Sequence, residues 1–166
     1  MGDSFPVVFL LVGLTGSGKT TYARRHLESA GAVRLSVDEL VHRRHGRHGV
    51  DYPEAEYLVR EAPVVEEVRR RLVELVGAGH DVVLDHGLWL RKDRDGWKDL
   101  AEQAGGRWKL LYFPVAREEL LRRLRERNRR EDANALTVTP EALDDFCGRF
   151  DVPVGEGEQI VEPDAF

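Results

Sequence analysis

Cysteine is almost absent: Cys147 stands alone in 166 residues. No internal disulfide can form, so stability has to come from packing, and a reducing, cytoplasmic setting is expected. Long hydrophobic runs are missing too; none approaches the ~20 apolar residues of a membrane-crossing helix. The N-terminal stretch "MGDSFPVVFLLVG" has no basic start, so no secretory leader is expected. An excess of positive charge is also lacking. Lys and Arg total 25 against 30 Asp and Glu, a net charge of −5 that removes the general basic field a long nucleic-acid partner calls for. There is no internal repeat and no low-complexity tract. What the chain does have is 42% hydrophobic residues, enough for one real core. One domain over residues 1–166 is expected, as a monomer or homodimer.

Strand-like and helix-like segments alternate along the chain. The continuous apolar run "VVFLLV" (7–12) reads as a buried strand. Residues 20–30 read as a helix closed by Gly31. "AVRLSV" is a second strand ending near Val37, and Ser36 with Glu39 has capping-box spacing for a helix start. Residues 53–62 and 63–76 read as one broken helix or two consecutive ones, with an apolar stripe of Val65, Val68, Leu72 and Val76. "DVVLD" is a third strand. A helix marked by Trp97, Leu100, Ala101 and Ala104 precedes a fourth strand, "WKLLYF". Beyond Pro114 comes a basic helix over 117–129, then a helix opened by Thr139-Pro140, then a weak strand, "EQIVE". Such alternation implies a parallel sheet with helices on both faces.

Between the first strand and its helix stands Gly13-Leu14-Thr15-Gly16-Ser17-Gly18-Lys19-Thr20, followed by Thr21. The G-x-x-x-x-G-K-[ST] spacing in this strand–helix context is that of a phosphate-binding loop. Glycines let successive backbone N–H groups turn inward around an anion, and the helix N-terminus adds partial positive charge. Lys19 can reach the β- and γ-phosphates, and the Thr20 hydroxyl can ligate Mg²⁺. The loop therefore predicts a nucleoside triphosphate and Mg²⁺; it does not by itself distinguish a kinase from a switch or motor.

Ligands of open parallel sheets collect at the carboxyl ends of the strands. Strand two ends in "LSVDEL" and strand three in "VVLDHG", so Asp38 and Asp85 are expected beside the loop. Phosphoryl transfer to an alcohol uses one carboxylate to orient the hydroxyl and take its proton, and the metal uses a second; Asp38 is read as the first and Asp85 as the second. On the basic helix, Arg123, Arg127 and Arg130 share a face, whereas Arg122, Arg125 and Arg129 are displaced around it. The first set could converge on a transferring phosphoryl group. The plainer alternative is a solvated face whose arginines answer Glu118, Glu119 and Glu126.

The pieces "VGLTGSGKTTYARR", "RLSVDEL", "GHDVVLDHGLW", "RWKLLYFPVAREELLRRLRERN" and "LTVTPEALDDFCGRF" together resemble the small P-loop kinases grouped with polynucleotide kinase, zeta toxin, chloramphenicol phosphotransferase and gluconate kinase. The resemblance spans nearly the whole chain. It implies an α/β three-layer sandwich with a five-stranded parallel sheet, nucleotide-kinase-like with a short lid, and ATP as donor. It also implies that Asp38 is the acceptor-activating aspartate and that residues 123–135 form the lid, with Arg123 and Arg127 over adenine and phosphates. "FDVPVGEGEQIV" resembles the loop that holds adenine by backbone contacts. Three residues after the acceptor aspartate, polynucleotide kinase has an arginine; here the position is Val41, with Arg43 and Arg44 as possible substitutes. That weighs toward a small hydroxyl acceptor over a nucleic-acid 5′-hydroxyl.

The acceptor segment is expected at about 39–77. It contains two H-x-x-H spacings, His42–His45 and His45–His48, in a glycine-interrupted basic run that reads as a flap closing over substrate rather than a metal cluster. His86 and Trp89 follow Asp85; Trp89 could stack on an acceptor or plug the core. The leading reading is a kinase acting on a small-molecule hydroxyl. A polynucleotide or nucleoside 5′-kinase and a nucleotide-hydrolysing switch are the alternatives.

Overall fold

A computed structural model describes residues 4–14, 16–47, 50–127 and 140–162. Thr15, His48, Arg130, Thr139 and the lid beyond Arg127 lie outside the described residues, as does the side chain of Arg127. Five strands, β1 (Val7–Val12), β2 (Val33–Ser36), β3 (Val82–Asp85), β4 (Arg107–Tyr112) and β5 (Glu158–Ile160), form one sheet in the order β2-β3-β1-β4-β5, every pair parallel. Among the described residues the α-helices are α1 (Lys19–Tyr22, running on into wider π-type turns over Ala23–Glu28), α2 (Val37–His45), α3 (Tyr57–Gly77), α4 (Arg91–Gln103), α5 (Arg117–Arg127) and α6 (Pro140–Arg149). None of the described helices is long and apolar enough to cross a membrane.

The unbroken apolar run of β1 is explained by burial on both faces. Val8, Leu10 and Val12 pack with Val64, Val68, Leu72 and Val76 of α3 and Trp97 and Ala101 of α4. Leu11 faces the other way, onto Ala23 and Leu27 of the first helix. A third cluster joins Leu120 and Leu124 of α5 to Leu143 of α6, with Leu14 of the glycine loop against it. Helices thus cover both faces, and the sheet is the α/β sandwich expected.

Several boundaries differ from expectation, each for a local reason. Strand two stops at Ser36, because Ser36 is already the cap of α2: its Oγ accepts the Glu39 N–H at 3.2 Å. The first helix ends at Glu28 rather than residue 30. Residues 57–77 form a single helix despite Pro63, where a break was expected. Pro63 removes one backbone bond, but it lies on the exposed side, where water can serve the released carbonyl of Val59. The buried stripe begins at Val64, with Val65 only half-buried.

On α4 the core face carries charge as well as Trp97 and Ala101. Arg94 is fully buried and donates to both carboxylate oxygens of Glu156, at 2.8 and 2.9 Å, and to the carbonyl of Leu88 at 2.9 Å. Lys98 donates to the Glu156 carbonyl at 2.7 Å. This pair ties the loop before β5 to the turn after β3. Breaking a buried pair strands a charge, so Glu156→Leu or Arg94→Leu is expected to cost about 3–5 kcal/mol, read as a melting temperature lower by roughly 10 °C. The Arg94 guanidinium holds the Glu156 carboxyl below its ordinary pKa. A lowered folded-state pKa gives stability that is full above the unfolded value, about 4.3, and is lost as pH falls through the folded one. The mutational cost should therefore shrink in acid melts.

Candidate active site

The glycine loop leaves β1 at its carboxyl end and runs into α1. Gly13 packs so closely that a Cβ there would lie 2.5 Å from Ser17 Oγ, and Gly18, at φ 97°, takes the left-handed conformation that turns the chain into the helix. Ser17 Oγ is buried, lacks a hydrogen-bond partner among the described residues, and lines a cavity of 180 Å³ behind the loop. Lys19 Nζ folds back across the loop, donating to the carbonyls of Gly13 at 3.0 Å and Leu14 at 3.3 Å. Its ammonium thus lies against the loop backbone beyond the carboxyl end of β1.

Thr20, in the first turn of α1, donates to Asp85 Oδ2 at 2.6 Å. The two therefore meet, as their positions at the loop and at the end of β3 require. Their hard oxygens suit Mg²⁺. No group of three or more His, Cys, Asp or Glu among the described residues is gathered to hold a metal. Thr20 and Asp85 present two such oxygens side by side. Of the histidines, His42 and His45 share α2, but His45 Nδ1 lies 3.0 Å from Arg60 Nη1.

A network that the sequence did not announce supports this pair. Arg34 of β2 reaches Asp85 Oδ2 at 3.1 Å, Glu28 at 2.6 Å and Glu39 at 2.7 Å. Burial works against its charge, yet the carboxylates, Glu39 foremost, hold its pKa above the ordinary value. Arg34 thereby links the first helix, β2, β3 and α2 at the strand ends.

Asp38 lies in the first turn of α2, two residues beyond Ser36, which pairs in register with Asp85. Its Oδ1 accepts the Tyr57 hydroxyl of α3 at 2.5 Å. Burial, and then the negative charge of Asp38, raise the Tyr57 pKa well above its usual value. Glu61, one turn further along α3, also meets the Tyr57 hydroxyl and interacts with His86. Burial raises its carboxyl pKa; His86 opposes the rise and Asp38 adds to it. Asp38, Tyr57, Glu61 and His86 thus make one polar cluster near the ends of β2 and β3.

The other tentative acceptor residues are placed differently. Trp89 packs on Phe146 and beneath Arg149, both of α6. Arg44 pairs with Glu67, and Arg43 is exposed. Part of the flap's charge is thus answered locally, with Arg44 on Glu67 and Arg47 Nε 3.8 Å from Asp51 Oδ2. The turn after Asp85 carries Leu88 at φ 51°, a left-handed conformation uncommon for a branched side chain. Buried Arg94 grips its carbonyl.

On α5, the two arginine readings separate at adjacent residues. Arg122 is exposed and engages Glu119, whose carboxyl is pulled down to about 2, first by Arg122 and then by Arg123. Arg123 also holds Glu119, but its Nη1 donates to the Gly16 carbonyl of the loop at 3.1 Å. Arg123 therefore touches the glycine loop. Arg127 and Arg130, grouped with it by helical spacing, fall outside what the structure describes at the side-chain level.

A family model described as an AAA domain matches residues 8–153. The chain belongs to this family. Its fold is that of P-loop kinases. A Chloroflexus aurantiacus protein proposed to be a kinase superposes with a TM-score of 0.77 at 16% identity, covering 97% of this chain and 87% of that one. A chain of the Pnkp1/Rnl/Hen1 RNA repair complex gives 0.72 at 21% identity, covering 89% of this chain but 45% of its own length. A gluconokinase from Sinorhizobium meliloti gives 0.64 at 19% identity, covering 96% and 84%. No curated protein matches the sequence. The AAA-domain match takes in the glycine loop, both strand-end aspartates, the Tyr57–Glu61 turn and Arg123. Arg34, Tyr57, Glu61, Arg94 and Glu156 are the residues of this AAA-domain chain that sequence reading missed. Only Arg94 left a signal, at helical spacing from Trp97 and Ala101.

Proposed function

We propose that the chain is an ATP-dependent kinase that transfers the γ-phosphoryl group of ATP to a hydroxyl of a small-molecule acceptor, a metabolite, sugar or antibiotic. What supports this most is the division of labour between two carboxylates at neighbouring strand ends. Asp85 engages Thr20 at the loop, whereas Asp38 engages Tyr57 on α3. A nucleotide-hydrolysing switch needs the first; an alcohol acceptor also needs the second.

In this reading the loop N–H groups and Lys19 bind the phosphates. Thr20 and Asp85 would hold Mg²⁺, which supplies positive charge to the β- and γ-phosphate oxygens. Asp38 orients the acceptor hydroxyl and takes its proton as the new oxygen–phosphorus bond forms and the bond to the ADP oxygen breaks. Arg123, from above the loop, offsets charge on the transferring group. The test is a panel of hydroxyl compounds, a 5′-hydroxyl oligonucleotide included, assayed for acceptor-dependent ADP release. Release with the oligonucleotide alone would move the protein to the polynucleotide-kinase alternative.

The arginine assignment has its own test. Arg123→Ala is expected to lower turnover about a hundredfold, as loss of a phosphate-directed cation does. Arg122→Ala, on the solvated side, should change it less than about threefold. Equal small effects in steady-state kinetics would return α5 to a charged surface helix.

A further inference from the structure

The Tyr57 hydroxyl lies between two carboxyl groups, and hydrogen-bond bookkeeping constrains all three. A phenol has one proton to give. The 2.5 Å contact to Asp38 Oδ1 uses it, since Asp38 as a carboxylate can only accept. Toward Glu61 the phenol then presents lone pairs alone. A Glu61 carboxylate would oppose them without a donor; a neutral Glu61 carboxyl supplies its own O–H. Burial raises the Glu61 carboxyl pKa; His86 and the hydrogen bond with Tyr57 oppose the rise, and the negative charges of Asp38 and Asp93 add to it. Tyr57 and Glu61 are i, i+4 neighbours on one helix, so the arrangement is rigid along α3.

We propose that Glu61, Tyr57 and Asp38 form a directed hydrogen-bond relay, Glu61 to Tyr57 to Asp38, that occupies Oδ1 of Asp38 and leaves Oδ2 for the acceptor hydroxyl. Tyr57 and Glu61 are positioning residues; neither receives the phosphoryl group. The relay rests on the kinase reading above. It adds that the rotation of the Asp38 carboxylate is set by α3, the helix that also walls the acceptor segment.

The test uses ADP release from Mg-ATP, with water in the acceptor's place, and ¹³C NMR of the aspartate carboxyl carbons as a readout independent of turnover. Tyr57→Phe keeps the ring and removes the donor. It should lower kcat at least about tenfold with KM for ATP within about twofold. Glu61→Gln retains an N–H for Tyr57 and should stay within about threefold of wild type, whereas Glu61→Leu should fall with Tyr57→Phe. The double variant Asp38→Asn/Tyr57→Phe should be no slower than Asp38→Asn alone, the non-additivity of groups acting as a unit. The Asp38 carbon should shift in Tyr57→Phe. Wild-type rates in Tyr57→Phe, additive losses, or Glu61→Gln as damaging as Glu61→Leu would overturn the relay. If Asp38→Asn itself has no effect on ADP release, the kinase reading is what fails; where release to water is undetectable, the Asp38 carbon alone decides, and an unmoved carbon in Tyr57→Phe overturns the relay.

Discussion

Lys19→Ala is expected to abolish phosphoryl transfer, by at least about a thousandfold, in a protein that melts like wild type. The two halves of that expectation come from different facts. Lys19 is only half-buried at the start of α1, and its described hydrogen bonds go to two loop carbonyls. Removing it opens no cavity, since the buried residues of the first helix are Ala23 and Leu27. What disappears is the only lysine of the loop. The charge-assisted contact it would make with phosphate strengthens as negative charge builds in the transition state. Circular dichroism and melting, set against turnover, separate a lost contact from a lost fold. Near-normal turnover in the folded variant would defeat the assignment of the loop.

Asp38→Asn is expected to lower turnover by about a thousandfold while ATP affinity stays within a few-fold. Asparagine has the same shape, and its Oδ1 can still accept from Tyr57. It cannot take a proton from the acceptor. Asp85→Asn should behave differently. Asp85 holds Thr20 and Arg34, so its loss should weaken Mg-ATP binding first. The comparison is a KM-against-kcat split in two variants of identical size. If Asp38→Asn mainly weakened Mg-ATP binding and Asp85→Asn mainly lowered turnover, the roles would be exchanged.

The glycine loop's place between β1 and α1 could be read from sequence because its signal is local: eight consecutive residues carry the glycines, the lysine and the threonine. Asp38 and Asp85 were legible one step further, since hydrophobic runs mark strand ends and parallel sheets gather ligands there. Tyr57 and Glu61 were not. They lie within the expected acceptor segment, but nothing in the sequence singled them out, and their meeting with Asp38 depends on how α3 crosses α2, which no periodicity encodes. Arg34 is similar: in "AVRLSV" it is one polar residue in a strand, and its partners Glu28, Glu39 and Asp85 come from three other elements. On α4 the apolar pattern predicted the buried face but not that Arg94 and Lys98 share it, because the compensating Glu156 lies 62 residues from Arg94. Pro63 misled by a general rule that holds for buried positions and relaxes on an exposed face.

The central claim is that a phosphoryl group leaves ATP for an alcohol. The most direct measurement incubates the protein with Mg-ATP and a panel of hydroxyl compounds, then follows by mass spectrometry both ADP and the addition of one phosphoryl group to each compound, with Lys19→Ala alongside. The account predicts at least one compound phosphorylated in step with ADP formation, and none in the Lys19→Ala reaction. Free phosphate accumulating with every compound unchanged would contradict it and leave a nucleotide-hydrolysing switch as the better description.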